Sequence, residues 1–144
     1  MANTYTQIYI QYVFAVKHHE AFLVSADSDL HKYINGIIRN IGCKPLAVNN
    51  MPDHIHVFLS LKPTLSISET AQKIKNNSSR WLKSHLQNPH FAWQTGYGAF
   101  SYARSQLQDV GDYIANQQNH HQTENFRNEY LNFLRKFHID WDEQ

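Results

Sequence analysis

The chain has 144 residues, 42% of them hydrophobic, and a formal net charge of +1 at pH 7. This length predicts one globular domain, residues 1–144, with a core of its own. No apolar run approaches a membrane span and the N-terminus does not resemble a signal peptide, so we expect a cytoplasmic protein without membrane contact. The single cysteine, Cys43, excludes an internal disulfide framework and a zinc site built from cysteines.

The first part of the chain predicts a strand, a helix and a second, short strand that ends in a tight turn. Their predicted bounds are 5–17, 29–41 and 44–49, with the turn at 49–53. Either Ser25 or Asp27 can cap the start of the helix, and Gly42 suits its C-terminal end.

The turn leads into the run Met51–Leu61, in which the side chains alternate strictly between two faces of a strand. One face carries Ile55, Val57, Leu59 and Leu61, and the other carries His54, His56, Phe58 and Ser60. Two histidines two positions apart lie side by side, which suits two ligands of one divalent metal. The alternative is a solvated polar face that happens to carry histidine twice. We assign Asp53 to the turn rather than to a contact with an imidazole.

The second part of the chain predicts a helix, a short strand and two further helices. Ser66 and Glu69 form a capping box that starts a helix to about Leu86. The later elements are predicted at 99–103 for the strand, 105–120 for a helix capped by Ser105, and 124–137 for the last helix. The order β-α-β-β-α-β predicts a ferredoxin-like α+β sandwich with an antiparallel sheet and C-terminal helices. Both crossover helices should cover one sheet face and leave the face near His54 and His56 open.

Tyr113 and Gln117 are four residues apart in the predicted helix, so they share one of its faces. A tyrosine hydroxyl, an amide oxygen and two imidazoles could therefore converge on one site. Gln118 points about 100° away from Gln117 and is the weaker candidate ligand. A tyrosine at helical spacing is also an ordinary core residue, which is the alternative.

These motifs resemble those of the HUH single-tyrosine transposases of small insertion sequences and their repeat-associated relatives. The resemblance rests on His54-Ile55-His56, on Gly96–Ser101 and on Tyr113-x-x-x-Gln117, and it extends from about residue 5 to residue 137. It implies a bacterial or archaeal protein with the same palm-like fold. It also implies a homodimer that binds single-stranded DNA with hairpins at element ends, in which the tyrosine helix can complete the partner's site.

Cutting a phosphodiester requires charge neutralisation and an in-line nucleophile. Mg²⁺ or Mn²⁺ on His54 and His56, with Gln117 as an oxygen ligand, would neutralise the phosphate. Tyr113 would attack phosphorus and form a phosphotyrosine, which keeps the bond energy for rejoining. By the resemblance, the link is a 5′-phosphotyrosine. Three other tyrosines are weaker candidates for the nucleophile: Tyr97, Tyr102 and Tyr130.

The segment between Glu69 and Asp109 contains no acidic residue, although five basic residues fall within it. The candidate DNA contacts are Lys17, Lys73, Lys75, Arg80 and Tyr97. An ordinary solvated helix face is the alternative for the basic residues. Two other functions remain open: a non-catalytic nucleic-acid-binding module on a ferredoxin-like sheet, and a metal-dependent hydrolase of small phosphoesters in which Tyr113 is structural.

Overall fold

The computed structural model of the chain describes residues 4–120 and 125–139. The strands are β1 (Tyr9–Ala15), β2 (Lys44–Met51), β3 (His54–Ser60) and β4 (Gly98–Tyr102). The helices are α1 (Ser28–Asn40), α2 (Ile67–His85), α3 (Leu107–Ala115), α4 (Gln117–His120) and α5 (Phe126–Lys136). Within these ranges, no helix is both long enough and apolar enough to cross a membrane.

The four strands form one antiparallel sheet in the order β2-β3-β1-β4. This order confirms the predicted ferredoxin-like α+β sandwich. The central strand β1 pairs with β3 so that Ala15 lies opposite His54 and Val13 lies opposite His56. Val13 also lies opposite Gly98 of β4, so the two histidines are placed near the middle of the sheet.

Helices α1 and α2 cover one face of the sheet and form the larger core. The strands contribute Ile10, Tyr12, Phe14, Ile55, Val57 and Leu59, and the helices contribute Leu30, Ile34, Ile38, Ala71, Ile74 and Leu82. The alternation predicted along β3 is therefore confirmed. Burial of these apolar side chains is the main stabilising contribution to this half of the molecule.

The predicted helix caps are present on this face. Asp27, rather than Ser25, caps α1 and accepts hydrogen bonds from the backbone N–H groups of Asp29 and Leu30. Gly42 follows α1 with φ of +90°, a conformation that favours glycine. Ser66 and Glu69 form the predicted capping box at the start of α2.

Strand β1 is shorter than the predicted 5–17, because its pairing with β3 ends at Tyr9 and Ala15. Beyond Val16 the chain enters a 3-10 turn over Lys17–His19, where His18 has a φ of +60° that no strand adopts. Strand β2 is longer than predicted and continues to Met51, which pairs with His54. The turn is therefore confined to two residues.

The second face of the sheet is not open, contrary to the prediction. Helix α5 packs Phe126 and Leu134 against Val13 and Phe100. Helix α3 packs Val110 and Ile114 against Phe58. The physical reason is that this face also carries large apolar side chains, which must be covered.

The helix predicted over 105–120 is divided, also contrary to the prediction. A 3-10 turn over Arg104–Gln106 precedes α3, and the side chain of Gln106, not Ser105, accepts the N–H of Ala103. Helix α3 ends because Asn116 leaves helical geometry, with φ of −98° and ψ of 18°. The predicted start of the last helix at Glu124 lies outside the described residues.

Replacing Gly98 by alanine should destabilise the docking of α5. A Cβ at this position would lie 2.9 Å from the ring atom Cε1 and 2.9 Å from the hydroxyl of Tyr130. We expect Gly98→Ala to lower the free energy of unfolding by about 1–3 kcal/mol in a urea titration.

Gly36→Ala is the matched control, because nothing lies within 4 Å of the added carbon in α1. Alanine favours a helix interior by about 1 kcal/mol over glycine, so this variant should be more stable. Equal stability of the two variants would contradict the packing of α5 on β4.

Candidate active site

His54 and His56 project from β3 towards the sheet face that α3 and α5 cover. Both side chains are fully buried, and their ring centroids are 5.2 Å apart. The ring of His54 stacks on Phe126 at the start of α5, with centroids 3.9 Å apart and planes 13° from parallel. The predicted pairing of the two imidazoles on one strand face is therefore present in the fold.

Each imidazole is held at Nδ1 by an oxygen. Nδ1 of His54 donates to Oδ1 of Asp53 at 2.7 Å, and Nδ1 of His56 donates to Oε1 of Gln11 at 2.7 Å. Because both partners are acceptors, the proton lies on Nδ1 and each Nε2 is directed towards α5. The assignment of Asp53 to the turn alone was wrong, because Asp53 also orients His54. Gln11 was not predicted; its amide also donates to the Tyr102 hydroxyl at 2.9 Å.

A buried carboxylate from α5 meets the two Nε2 atoms. Oε1 of Glu129 lies 3.4 Å from Nε2 of His54 and 3.2 Å from Nε2 of His56. Glu129 is only 2% exposed. The candidate ligand atoms of these three residues all lie within 4.8 Å of one another, which is close enough to hold one metal ion.

The second oxygen of this carboxylate meets the other two predicted residues. Oε2 of Glu129 accepts hydrogen bonds from the Tyr113 hydroxyl and, at 3.0 Å, from Nε2 of Gln117. Gln117 is fully buried, and within the described residues its Oε1 has no hydrogen-bond partner. A buried acceptor without a partner is costly, so this oxygen fits a ligand to a cation. Tyr113 and Gln117 thus meet at the site although a break at Asn116 separates their helices.

The electrostatics of the site favour an ionised carboxylate facing the two imidazoles. Burial alone would raise the pKa of Glu129, but the hydrogen bonds from His54, His56 and Tyr113 outweigh burial and lower that pKa far below its usual value. Burial alone would lower the pKa of His54, but its contacts with Asp53 and Glu129 outweigh burial and raise it.

A cleft of about 450 Å³ leads from the surface to Tyr113 and Glu129. Its other lining residues are Gln11, Tyr102, Gln106, Asp109, Val110, Asn132, Phe133 and Lys136. A second cleft of about 570 Å³ lies along α5 beside Phe126 and Tyr130. The tyrosine hydroxyl can therefore be reached through the first cleft, whereas the histidines are covered.

The weaker candidate tyrosines have other partners. The hydroxyl of Tyr102 accepts from Gln11, and burial raises the pKa of Tyr102 to about 12. The ring of Tyr97 packs edge-on against Tyr12 on the opposite side of the sheet. Tyr130 lies on the apolar face of α5 and packs in the cluster between this helix and the sheet, as predicted.

The candidate DNA contacts are not brought together with Tyr113. Lys73 and Arg80 are exposed on α2, across the sheet from the tyrosine, and Lys17 is exposed just beyond β1. The ammonium group of Lys75 donates to the backbone oxygens of Gln94 and Gly96, at 2.7 and 2.8 Å. Lys75 therefore holds the loop that carries Tyr97.

Sequence reasoning missed Glu129, although a signal was present. It lies three residues after Phe126 and four before Phe133, so it falls on the apolar face of α5. A carboxylate on the buried face of a helix requires a partner of opposite charge or several donors. That position alone could have marked Glu129 as a candidate site residue.

A second group of possible ligands is found at the surface, where α1 begins. It consists of Asp27, Asp29 and His85. Asp27 already caps α1, and its Oδ2 accepts from Nε2 of His85 at 2.8 Å. This group therefore has a structural role without a metal.

The family of this chain follows from comparison with known protein families. Residues 4–117 match the family model described as "Transposase IS200 like", so the chain belongs to the IS200-like transposase family. No curated protein sequence is significantly similar to this chain.

Two solved structures share the fold. One is a candidate transposase from Deinococcus radiodurans R1, which is 23% identical in sequence, with a TM-score of 0.61. The match covers 81% of this chain and 96% of the Deinococcus chain. The other is a REP-associated tyrosine transposase bound to a REP hairpin, which is 15% identical in sequence, with a TM-score of 0.60. The match covers 84% of this chain and 73% of the REP-associated transposase chain.

Asn49 should stabilise the helix break that places Gln117. Its side-chain amide donates to the backbone oxygen of Ile114 at 2.8 Å and to Oε1 of Gln118 at 2.9 Å. We expect Asn49→Ala to lower the free energy of unfolding by about 1–3 kcal/mol, because it leaves buried acceptors unpaired. Asn76→Ala, at an exposed position of α2, is the control, and thermal melting should show little change for it. Identical melting of the two variants would exclude this role for Asn49.

Proposed function

We propose that this protein is a DNA transposase that cuts and rejoins single-stranded DNA through a covalent link to Tyr113. The observation that carries the proposal is the convergence of the Tyr113 hydroxyl with the His54–His56 pair on one buried carboxylate. A tyrosine and a pair of oriented imidazoles are the parts that such a reaction requires. Membership of the IS200-like transposase family supports the same reaction class.

A divalent cation, Mg²⁺ or Mn²⁺, fits the residues at this site. Nε2 of both histidines is directed inward, and Oε1 of Gln117 is a buried acceptor without a hydrogen-bond partner in the described part of the chain. His54, His56 and Gln117 would hold the cation. When bound, it would neutralise charge on the scissile phosphate.

The protein's own groups would then perform the transfer. The hydrogen bond to Glu129 orients Oη of Tyr113, which attacks phosphorus. A bond forms between Oη and phosphorus, and the bond from phosphorus to the 3′ oxygen breaks. The proton that the tyrosine hydroxyl loses is balanced by the proton that the departing 3′ oxygen takes up, so the released strand ends in a 3′-OH. The other strand end remains as a 5′-phosphotyrosine. Attack by a 3′-OH on this link reverses the step and rejoins DNA without ATP.

The remaining candidate contacts would bind DNA away from the cut. Lys17, Lys73 and Arg80 are exposed and would contact phosphates, while Lys75 supports the loop from which Tyr97 would contact a base. We propose hairpins at element ends as the DNA, because the tyrosine transposase with a similar fold is bound to a hairpin. We also propose a homodimer, as the family resemblance implies.

A covalent-adduct assay tests the proposed nucleophile. The protein is incubated with labelled single-stranded hairpins from the flanks of its own gene and Mn²⁺, then separated under denaturing conditions. We expect a DNA-linked species with the natural protein and none with Tyr113→Phe, because phenylalanine keeps the ring and removes the attacking oxygen.

Tyr102→Phe is the matched control, since Tyr102 lines the same cleft as Tyr113. This variant should still form the adduct. An adduct that persists in Tyr113→Phe would refute the assignment of the nucleophile. Binding of the hairpin without an adduct on any flanking DNA would favour a non-catalytic binding module.

A further inference from the structure

We propose that Glu129 is a further protein ligand of the divalent cation, in addition to His54, His56 and Gln117, so that the site carries a negative charge and binds the cation before DNA arrives. This inference rests on the proposed function, because it assumes the cation at His54 and His56. It assigns to α5 a direct part in the active site. The role is carried by three observations: the spacing of the ligand atoms, the orientation of the carboxylate and the chemistry of the facing atoms.

The spacing is that of neighbouring ligands on one ion. Two donor atoms bonded to a cation at about 2.1 Å lie about 3.0 Å apart at a right angle and about 3.4 Å apart at a tetrahedral angle. Oε1 of Glu129 lies 3.4 Å from Nε2 of His54 and 3.2 Å from Nε2 of His56. Both separations fall in the range for neighbouring ligands.

The carboxylate is held in the orientation that this role requires. Its Oε2 accepts from Tyr113 and Gln117, so Oε1 is the oxygen directed at the imidazoles. The docking of Phe126 and Leu134 against the sheet fixes the position of α5 and with it the position of Glu129. One side chain thereby connects the cation site to the hydroxyl of the nucleophile.

The facing atoms are all of types that bind divalent cations. Because the Nδ1 protons are donated to Asp53 and Gln11, a cation would replace a proton at Nε2 of either imidazole, and each Nε2 would then bind it through a lone pair. Oε1 of Glu129, which hydrogen-bonds with Nε2 of His56 at 3.2 Å, would bind the same cation.

The added carboxylate changes how the site selects its metal. Two imidazoles and an amide are neutral and favour nickel or zinc, whereas a carboxylate oxygen favours magnesium and manganese. A neutral site would need the phosphate of DNA to bind Mn²⁺ tightly. A negatively charged site would bind Mn²⁺ in the absence of DNA. Glu129 also lies beyond residues 4–117, which the family model matches, so this ligand comes from the part of the chain outside that match.

Titration of the full chain with Mn²⁺ in the absence of DNA tests this inference. Free Mn²⁺ is followed by electron paramagnetic resonance. We expect the natural protein to bind one equivalent and Glu129→Gln to bind at least about 10-fold more weakly. Glu20→Gln, which removes an exposed carboxylate, should bind as the natural protein does.

A parallel titration with Ni²⁺ separates a ligand from a structural residue. Loss of a carboxylate ligand should weaken Mn²⁺ binding more than Ni²⁺ binding, because the imidazoles that remain favour nickel. A merely structural role would weaken both metals equally, and that result would overturn the proposal. If Glu129→Gln does not fold by circular dichroism, Glu129→Asp replaces it; the shorter side chain withdraws Oε1 and should show the same selective loss.

His56→Ala distinguishes failure of this inference from failure of the proposed cation site. If His56→Ala abolishes Mn²⁺ binding while Glu129→Gln leaves it unchanged or tighter, Glu129 is not a ligand and the histidine site stands. If neither variant affects Mn²⁺ binding, both the inference and the proposed cation site are refuted.

Discussion

The arrangement of the site depends on one buried carboxylate and the groups that surround it. Glu129 is 2% exposed, and an ionised group at that depth destabilises a fold unless donors or positive charge compensate it. The Tyr113 hydroxyl, the Gln117 amide and the two imidazoles supply that compensation. Because these groups come from β3, α3, α4 and α5, the fold of the second sheet face and the geometry of the site depend on each other.

The sheet supplies the fixed part of this arrangement and the C-terminal helices supply the rest. Pairing of β3 with the central strand β1 places Gln11 on the same face as His56, where it orients the imidazole. Helix α5 packs on the sheet through an apolar cluster. The ring of Tyr113, the proposed nucleophile, packs edge-on against Phe133 of this helix. In the proposed function, DNA would reach Tyr113 through the cleft that Gln106 and Lys136 line.

The sequence predicted the architecture because its signals were local. Alternation along His54–Ser60 and the capping box at Ser66 predicted their elements, and the order of elements predicted the sheet. The covered second face was missed because Phe58 and Phe100 require partners that are distant in sequence. The break at Asn116 was missed because its anchor, Asn49, lies far away on β2. Glu129 was missed because a glutamate in a helix is ordinarily read as a solvent-exposed residue.

The most direct test of the account is a crystal of the full chain grown with Mn²⁺ and measured for anomalous scattering. The account predicts one strong peak between Nε2 of His54, Nε2 of His56 and Oε1 of Glu129, with the Tyr113 hydroxyl beside it. A peak only at the surface group of Asp27, Asp29 and His85, with none at the buried cluster, would contradict it.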